Sequence, residues 1–403
     1  MNEEAFRTYP YRWVVLAVFM GVNLTIQTLW IAYAAITGPA AKFHGVSDLE
    51  IGFLAMTFMI AYVPLSIPVS WIIDTYGFRA AVSIGAVLMG VFGLGRGFAG
   101  ASYPLVLAST VGLAIAQPFL LNAWTKLPAN WFAMKERATA VGLVTLANLI
   151  GTAIGLVLTP VLLEDGVSIP NIQLLYGVAT AISVALFLVF ARDKPPTPPC
   201  PPDQAGRALV LDGLKHALGV KAFWFYLVVS FVGLGIFNGV TTWVESIVRP
   251  RGFTPTQAGT LGAVMLVGGV LGAVIVPAIS DRQQKRQRYL MLGVLFAIPG
   301  VLGLAFATSF PALLGAAFVL GFFLISTGPI GMQYAAEITR PTPEGTSNGL
   351  IQLFGQASVV FVYVMEALKT PEGAFTPALL FTVALLLVSA ALVTQMKDAH
   401  SSL

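Results

Sequence analysis

Charge is what this 403-residue chain has least of: Asp, Glu, Lys and Arg supply 10% of it, against 57% hydrophobic residues and a mean hydropathy of +0.83. Soluble domains carry about 25% charged residues. The chain therefore lacks the polar surface to coat the two or three soluble domains its length would require, and the bilayer must be its solvent. Histidine is scarce as well. His44, His216 and His400 lie far apart and outside the apolar segments, so no histidine-built metal or haem site is expected there. The single cysteine, Cys200, excludes an intramolecular disulfide. A phosphate loop of the Gly-x-x-x-x-Gly-Lys type is missing, and so is any nucleophile–base constellation. ATP-driven pumping and intramembrane enzyme chemistry thus find no residues to carry them, and no cofactor is called for. Basic residues exceed acidic ones, 22 to 18, for a pI near 9.1, but they form no stripe, which argues against a nucleic-acid partner.

Apolar length is what the chain has instead. A helix needs about 20 apolar residues to cross the hydrocarbon core. Such runs fall near 13–37, 50–73, 80–96, 104–126, 137–162, 171–191, 222–247, 256–280, 289–307, 311–334, 346–368 and 375–396. They are too long and too little alternating for barrel strands, so an all-α integral membrane fold of twelve helices is expected. The first run exceeds a signal-peptide core, and no cleavable leader is expected. With the N-terminus inside, 17 of the 22 Lys and Arg residues fall on the cytoplasmic side and 5 on the other. This bias predicts a multi-pass protein of the cell (inner) membrane with both termini cytoplasmic.

Lys194-Pro-Pro-Thr-Pro-Pro-Cys-Pro-Pro-Asp203 cannot build a helix. It predicts a cytoplasmic linker over 193–220 between six-helix halves at 1–192 and 221–403. The halves repeat at an offset of 207 residues: Gly45 maps on Gly252, Gly52 on Gly259, Asp74 on Asp281, Thr139 on Thr346 and Gly142 on Gly349. Two parallel six-helix halves are one arrangement used for alternating access. Gly151 with Gly155, and Gly268, Gly269 and Gly272, fit the small-xxx-small pattern of close helix contact.

Ser70-Trp-Ile-Ile-Asp74-Thr-Tyr-Gly77-Phe-Arg79 resembles the cytoplasmic loop signature of the major facilitator superfamily. The resemblance implies a latch: Asp74 against the positive end of a facing helix, and Arg79 paired with an acid such as Glu136, next to Arg137. The second copy keeps Asp281 and Arg282 without the glycine. Ionisable residues within spans are costly and are functional candidates by default. Glu245 is the first candidate for ion coupling, while Glu337, Glu366, Arg96 and Lys126 lie towards helix ends. Mid-span polar and aromatic residues remain as cavity candidates: Trp30, Tyr33, Gln117, Asn148, Asn238, Trp243, Gln352 and Gln356.

Trp13-Val-Val-Leu-Ala-Val-Phe19, Trp30-Ile-Ala-Tyr33, Gly45-Val-Ser-Asp-Leu49, Ala61-Tyr-Val-Pro-Leu65, Ala116-Gln-Pro-Phe119, Glu337-Ile-Thr339 and Glu344-Gly-Thr-Ser347 resemble a narrower family. It is the feline leukaemia virus subgroup C receptor family of solute carriers, and the similarity runs through both halves. It implies a carrier of choline, ethanolamine or related organic cations; haem export is also attributed to the family. In its choline carriers a Trp in helix one and a Tyr in helix seven bracket the ammonium, with glutamines nearby. Trp30 matches that Trp, Gln117 and Gln356 the glutamines, and Asn148 a helix-five Asn. Asn238 stands where the Tyr would be. The expectation is a monomeric facilitator for a small organic cation. A proton-coupled carrier, an exporter of another solute such as haem or a carboxylate, and a non-transporting receptor stay open.

Overall fold

The computed structural model describes residues 6–199, 211–342 and 344–396. Among these, twelve helical segments are long and apolar enough to cross a bilayer. Spans 1 to 6 are Arg12–His44, Asp48–Tyr76, Phe78–Phe98, Tyr103–Trp131, Thr139–Glu164 and Ile169–Phe190; spans 7 to 12 are Lys221–Thr242, Pro255–Gln283, Arg286–Phe306, Phe310–Ile338, Thr346–Ala367 and Thr376–Thr394. All twelve expected helices are present, several reaching further than hydropathy indicated. Large apolar side chains stay uncovered along them, among them Val91, Phe98, Ile182, Val274 and Leu387. Such a surface suits lipid rather than water. The protein is a multi-pass integral membrane protein.

The chain divides into two compact units, Met1–Asp203 and Gln204–Leu403. Both ends of the proline-rich connection belong to their own unit. Tyr9 Oη donates to Thr197 Oγ1 (3.2 Å) and Arg7 N to Pro198 O (3.1 Å). On the other side, Leu211–Gly219 is helical, with Thr342 Oγ1 donating to Gly213 O (3.2 Å). The independent linker is thus shorter than 193–220.

In the first unit, span 1 packs on spans 5 and 6, span 3 on spans 4 and 6, and span 2 on span 4. Phe19, Phe78 and Phe187 form the aromatic centre of its core, with rings 5.3, 6.0 and 6.5 Å apart. The expected small-residue seams lie inside the units. A Cβ on Gly151 would sit 2.1 Å from the Leu24 carbonyl oxygen, joining spans 5 and 1. One on Gly272 would sit 1.9 Å from that of Phe322, joining spans 8 and 10. Only glycine lets these backbones approach so closely.

The repeat extends to local chemistry. Ser47 and Glu50 form a reciprocal capping box at the start of span 2, and Thr254 and Gln257, 207 residues on, form another at the start of span 8. Before each, a glycine in left-handed conformation ends the preceding helix: Gly45 at φ +67° and Gly252 at φ +81°.

Three spans are interrupted within their bounds, numbers 1, 4 and 11, and span 7 is followed at once by a short helix, Val244–Val248; the other eight run unbroken through their described residues. Span 1 stops at Ile31 and resumes at Thr37 through a 3₁₀ turn. Pro39 lies in the first turn of the resumed helix, where a missing N–H is tolerated. Span 4 stops at Leu121 and resumes at Lys126, just ahead of Pro128. Span 7 ends at Thr242, with Trp243 alone separating it from Val244–Val248, and span 11 gives way at Ser358, whose hydroxyl bonds back to the Gly355 carbonyl.

Candidate functional site

Irregular backbone within a membrane is tolerated where protein or a polar cavity satisfies it. The interrupted spans 1, 4 and 11 carry Trp30, Gln117, Gln352 and Gln356, with Tyr33 in the break of span 1, and span 7 with the residue that follows it carries Asn238 and Trp243.

In the first unit, Asn23, Gln27 and Trp30 are spaced i, i+4, i+7 and share one stripe of span 1. Trp124 Nε1 donates to Asn23 Oδ1 at 2.7 Å, which turns that stripe towards span 4. Gln117, 4% exposed, lies one turn before the end of the helix Tyr103–Leu121, and Trp124 in the interruption that follows. Trp30 is half-buried, its indole N–H held by the Ala55 carbonyl of span 2 at 3.2 Å, so the ring rather than the N–H is its free element. Asn148 lies in the stripe with Gly151 and Gly155 that packs on span 1. The side-chain oxygens of Gln27, Gln117 and Asn148 are all buried without a hydrogen-bond partner. Buried polar atoms in native proteins are nearly always paired, and three unpaired acceptors here lie on spans 1, 4 and 5 of one unit. Sequence reasoning missed Gln27, whose signal was its position between Asn23 and Trp30.

Tyr33 is elsewhere. Its ring is 4% exposed and lies under the Arg96 guanidinium, whose Cζ is 5.2 Å from the centroid, so its face is taken by the protein. Arg96 lies in the last turn of span 3, as expected, yet it is only 1% exposed.

In the second unit, Gly235 and Gly239 of span 7 pack on Phe361 and Met365 of span 11, and Leu234 meets Gly355. Asn238, 7% exposed, shares that face. Gln356, next to Gly355, is half-buried just before the Ser358 interruption. Trp243 is fully buried, its Nε1 donating to Val362 O at 2.8 Å beside the Phe375 ring. It ties the broken end of span 7 to span 11 and presents no surface to a solute. Glu245, also buried, pairs with Arg249 at 3.4 Å, so its charge is already matched.

The loop residues differ from expectation in their partners. Asp74 receives Lys126 Nζ at 2.8 Å. Arg79 does not meet Glu136: its backbone N donates to Asp193 Oδ1 (3.1 Å) and its Nη2 to Leu188 O (3.3 Å). Gly77 has φ +87°, and a Cβ there would lie 2.6 Å from Asp193 Oδ1. Glu136 instead takes a bidentate bond from Arg12 at 3.0 and 3.1 Å, and Arg137 donates to Phe132 O and Ala129 O at the end of span 4. In the second copy the arginine at work is Arg286, which pairs with Asp281 and, at 3.2 Å, with Glu337. Arg282 is exposed. Gln284 fills the glycine position of the turn at φ +53°. Among the described residues no three His, Cys, Asp or Glu side chains gather as a metal site.

Span 4 is fastened through its interruption. Asn122 Nδ2 donates to Ser66 O (2.8 Å) and Ser70 Oγ (3.0 Å), and Asn122 Oδ1 accepts from Tyr62 Oη (2.7 Å). With Asp74, these residues form an i, i+4, i+8, i+12 stripe on span 2.

Comparison with known proteins agrees with this architecture. Solute carrier family 49 member A3 of Danio rerio is 29% identical over 381 residues, covering 91% of this chain and 80% of that one. The human choline/ethanolamine transporter FLVCR2 is 26% identical over 414 residues, covering 96% and 77%. Among solved structures, a bacterial homologue of the human lysosomal transporter Spinster superposes with a TM-score of 0.76 at 16% identity, over 98% of this chain and 99% of that one. The nucleoside transporter NupG superposes with a TM-score of 0.74 at 13% identity, over 95% and 99%. The profile of the Major Facilitator Superfamily matches residues 14–363. With twelve spans in two repeated units and a profile match over most of its length, the chain belongs to the major facilitator superfamily of membrane transporters.

Proposed function

We propose that the protein carries a small organic cation of the ethanolamine and choline class by alternating access, with both termini cytoplasmic. The observation that supports this most is the set of orphaned amide oxygens, Gln27 Oε1, Gln117 Oε1 and Asn148 Oδ1, on helices adjoining the Trp30 stripe. A cation over a desolvated Trp face gains about 2 kcal/mol, and hydroxyl or ammonium donors satisfy the acceptors. The combination needs no buried carboxylate. The sequence relatives named as choline/ethanolamine transporters point to the same class. Ethanolamine, with three N–H donors and a hydroxyl, uses three acceptors better than choline, which has a hydroxyl alone.

Ligand-dependent thermal stabilisation of the purified protein tests this. Millimolar ethanolamine and choline should each raise the unfolding midpoint, as any ligand that binds only the native state does. Ethanolamine should act at the lower concentration. Gln117→Leu should narrow that difference and Trp30→Ala should weaken both. No stabilisation by either amine, in protein that is monodisperse and folded, would overturn the reading.

A further inference from the structure

Three charged side chains are buried below a tenth exposure among the described residues: Arg96, Glu245 and Arg286. Glu245 and Arg286 have partners of opposite charge. Arg96 has none, although an unpaired cation inside a membrane protein is costly. Its surroundings explain how it is held. Nη2 donates to the Leu29 carbonyl at 2.7 Å, and Nε and Nη2 both donate to Gln173 Oε1, at 3.0 and 2.7 Å. Leu29 lies in the last turn of the helix Arg12–Ile31, where carbonyls have no intrahelical donors. That end of a helix also carries a partial negative charge. Arg96 is thus both donor and counter-charge to the broken end of span 1. Its guanidinium plane also covers the ring of Tyr33, on the far side of the break.

The two contacts on span 1 flank a single candidate site residue. Leu29 precedes Trp30 and Tyr33 follows it by three, so fixing both fixes the backbone from which the indole projects. We propose that Arg96 is a positioning residue that orients Trp30, with Gln173 locking the guanidinium plane. Lysine cannot replace it. An ammonium lacks the planar fork that bonds Leu29 and Gln173 while stacking on Tyr33. The consequence for transport rests on the reading that Trp30 meets the solute; the orientation of the ring does not.

Fluorine NMR of 5-fluorotryptophan-labelled protein tests the orientation without any ligand, with Trp30→Phe assigning the Trp30 signal and Trp71→Phe that of exposed Trp71. In Arg96→Lys and in the milder Gln173→Leu, the Trp30 signal should shift or split while Trp71 keeps its position. Gln173→Glu, which preserves the paired acceptor, should restore the wild-type signal. An unmoved Trp30 signal in both variants overturns the proposal. A shift shared by Trp71 overturns it too, since it reports a structural role only. In counterflow with radiolabelled ethanolamine, Arg96→Lys should raise KM about five- to tenfold with Vmax kept. It should raise it no further in a Trp30→Ala background; additive effects of the two substitutions would count against the coupling. If Trp30→Ala leaves counterflow unchanged, the assignment of the site fails, and the fluorine spectra still decide the role of Arg96.

Discussion

At the scale of single residues, the turn after span 2 and its copy after span 8 show how one job passes between residue types. Gly77 is confined by φ and by Asp193, whereas Gly45 and Gly252 have left-handed φ values but open space around them. Gly45→Ala and Gly252→Ala should therefore each cost about 1 kcal/mol, the price of left-handed backbone for a residue with a Cβ. Gly77→Ala should cost clearly more, because Asp193 must also be displaced; equal losses of thermal stability in all three would contradict the geometry. The copy carries Gln284 where the first turn has Gly77. Adjacency to Asp281 had singled out Arg282, but the 207-residue offset that aligns Asp74 with Asp281 also aligns Arg79 with Arg286. Arg286→Ala leaves Glu337 uncompensated in a mostly buried site, where losing one partner costs about 3 kcal/mol or more. Arg282→Ala should stay within about 0.5 kcal/mol of wild type. Chemical or thermal unfolding of the two variants separates these outcomes.

At the scale of elements, hydropathy located all twelve spans because burial in lipid imposes one requirement on every residue of a run. The interruptions were less legible. Those of spans 1 and 4 each lie just ahead of a proline, Pro39 and Pro128, but so do stretches of unbroken helix before Pro64, Pro68 and Pro160, so proline alone does not mark a break. Those at Trp243 and Ser358 leave no mark in hydropathy, because a single non-helical residue changes neither length nor polarity. Exposure was the weakest inference. Trp30 and Trp243 look alike in sequence, yet one is half-buried at the edge of the first unit's core and the other is sealed against Phe375 and Val362. Arg96 lies in the last turn of span 3, and its burial, against Leu29 of span 1 and Gln173 of span 6, is not written in that position. The interruption in span 4 is fastened by Asn122 to three residues of span 2. Asn122→Ala would remove its hydrogen bonds to span 2, and the buried Tyr62 hydroxyl, losing its acceptor, should by itself cost about 1–3 kcal/mol. A markedly lower melting temperature is expected. Wild-type stability would show that water replaces those bonds and that the span 2 stripe is no fastening.

At the scale of the whole molecule, duplication and charge placement make a transporter readable before its solute is. Two units with matching capping boxes and helix ends match the profile of the superfamily over residues 14–363. The excess of Lys and Arg on one side predicts cytoplasmic termini. A fluorescent protein fused to either end should fluoresce, and alkaline phosphatase fused there should stay inactive; the reverse pattern would invert the topology. Substrate class was less legible, because Asn238 replaces the aromatic residue that the resemblance called for and the acceptors of Gln27, Gln117 and Asn148 are recognisable only once their partners are known to be missing. The most direct test of the account is counterflow of radiolabelled ethanolamine into proteoliposomes preloaded with the unlabelled amine, comparing wild type with Trp30→Ala. Saturable accumulation in the wild type, lost or shifted to about tenfold higher KM in the variant, is predicted. No accumulation with ethanolamine or choline by folded, inserted protein, or accumulation indifferent to Trp30, would contradict it.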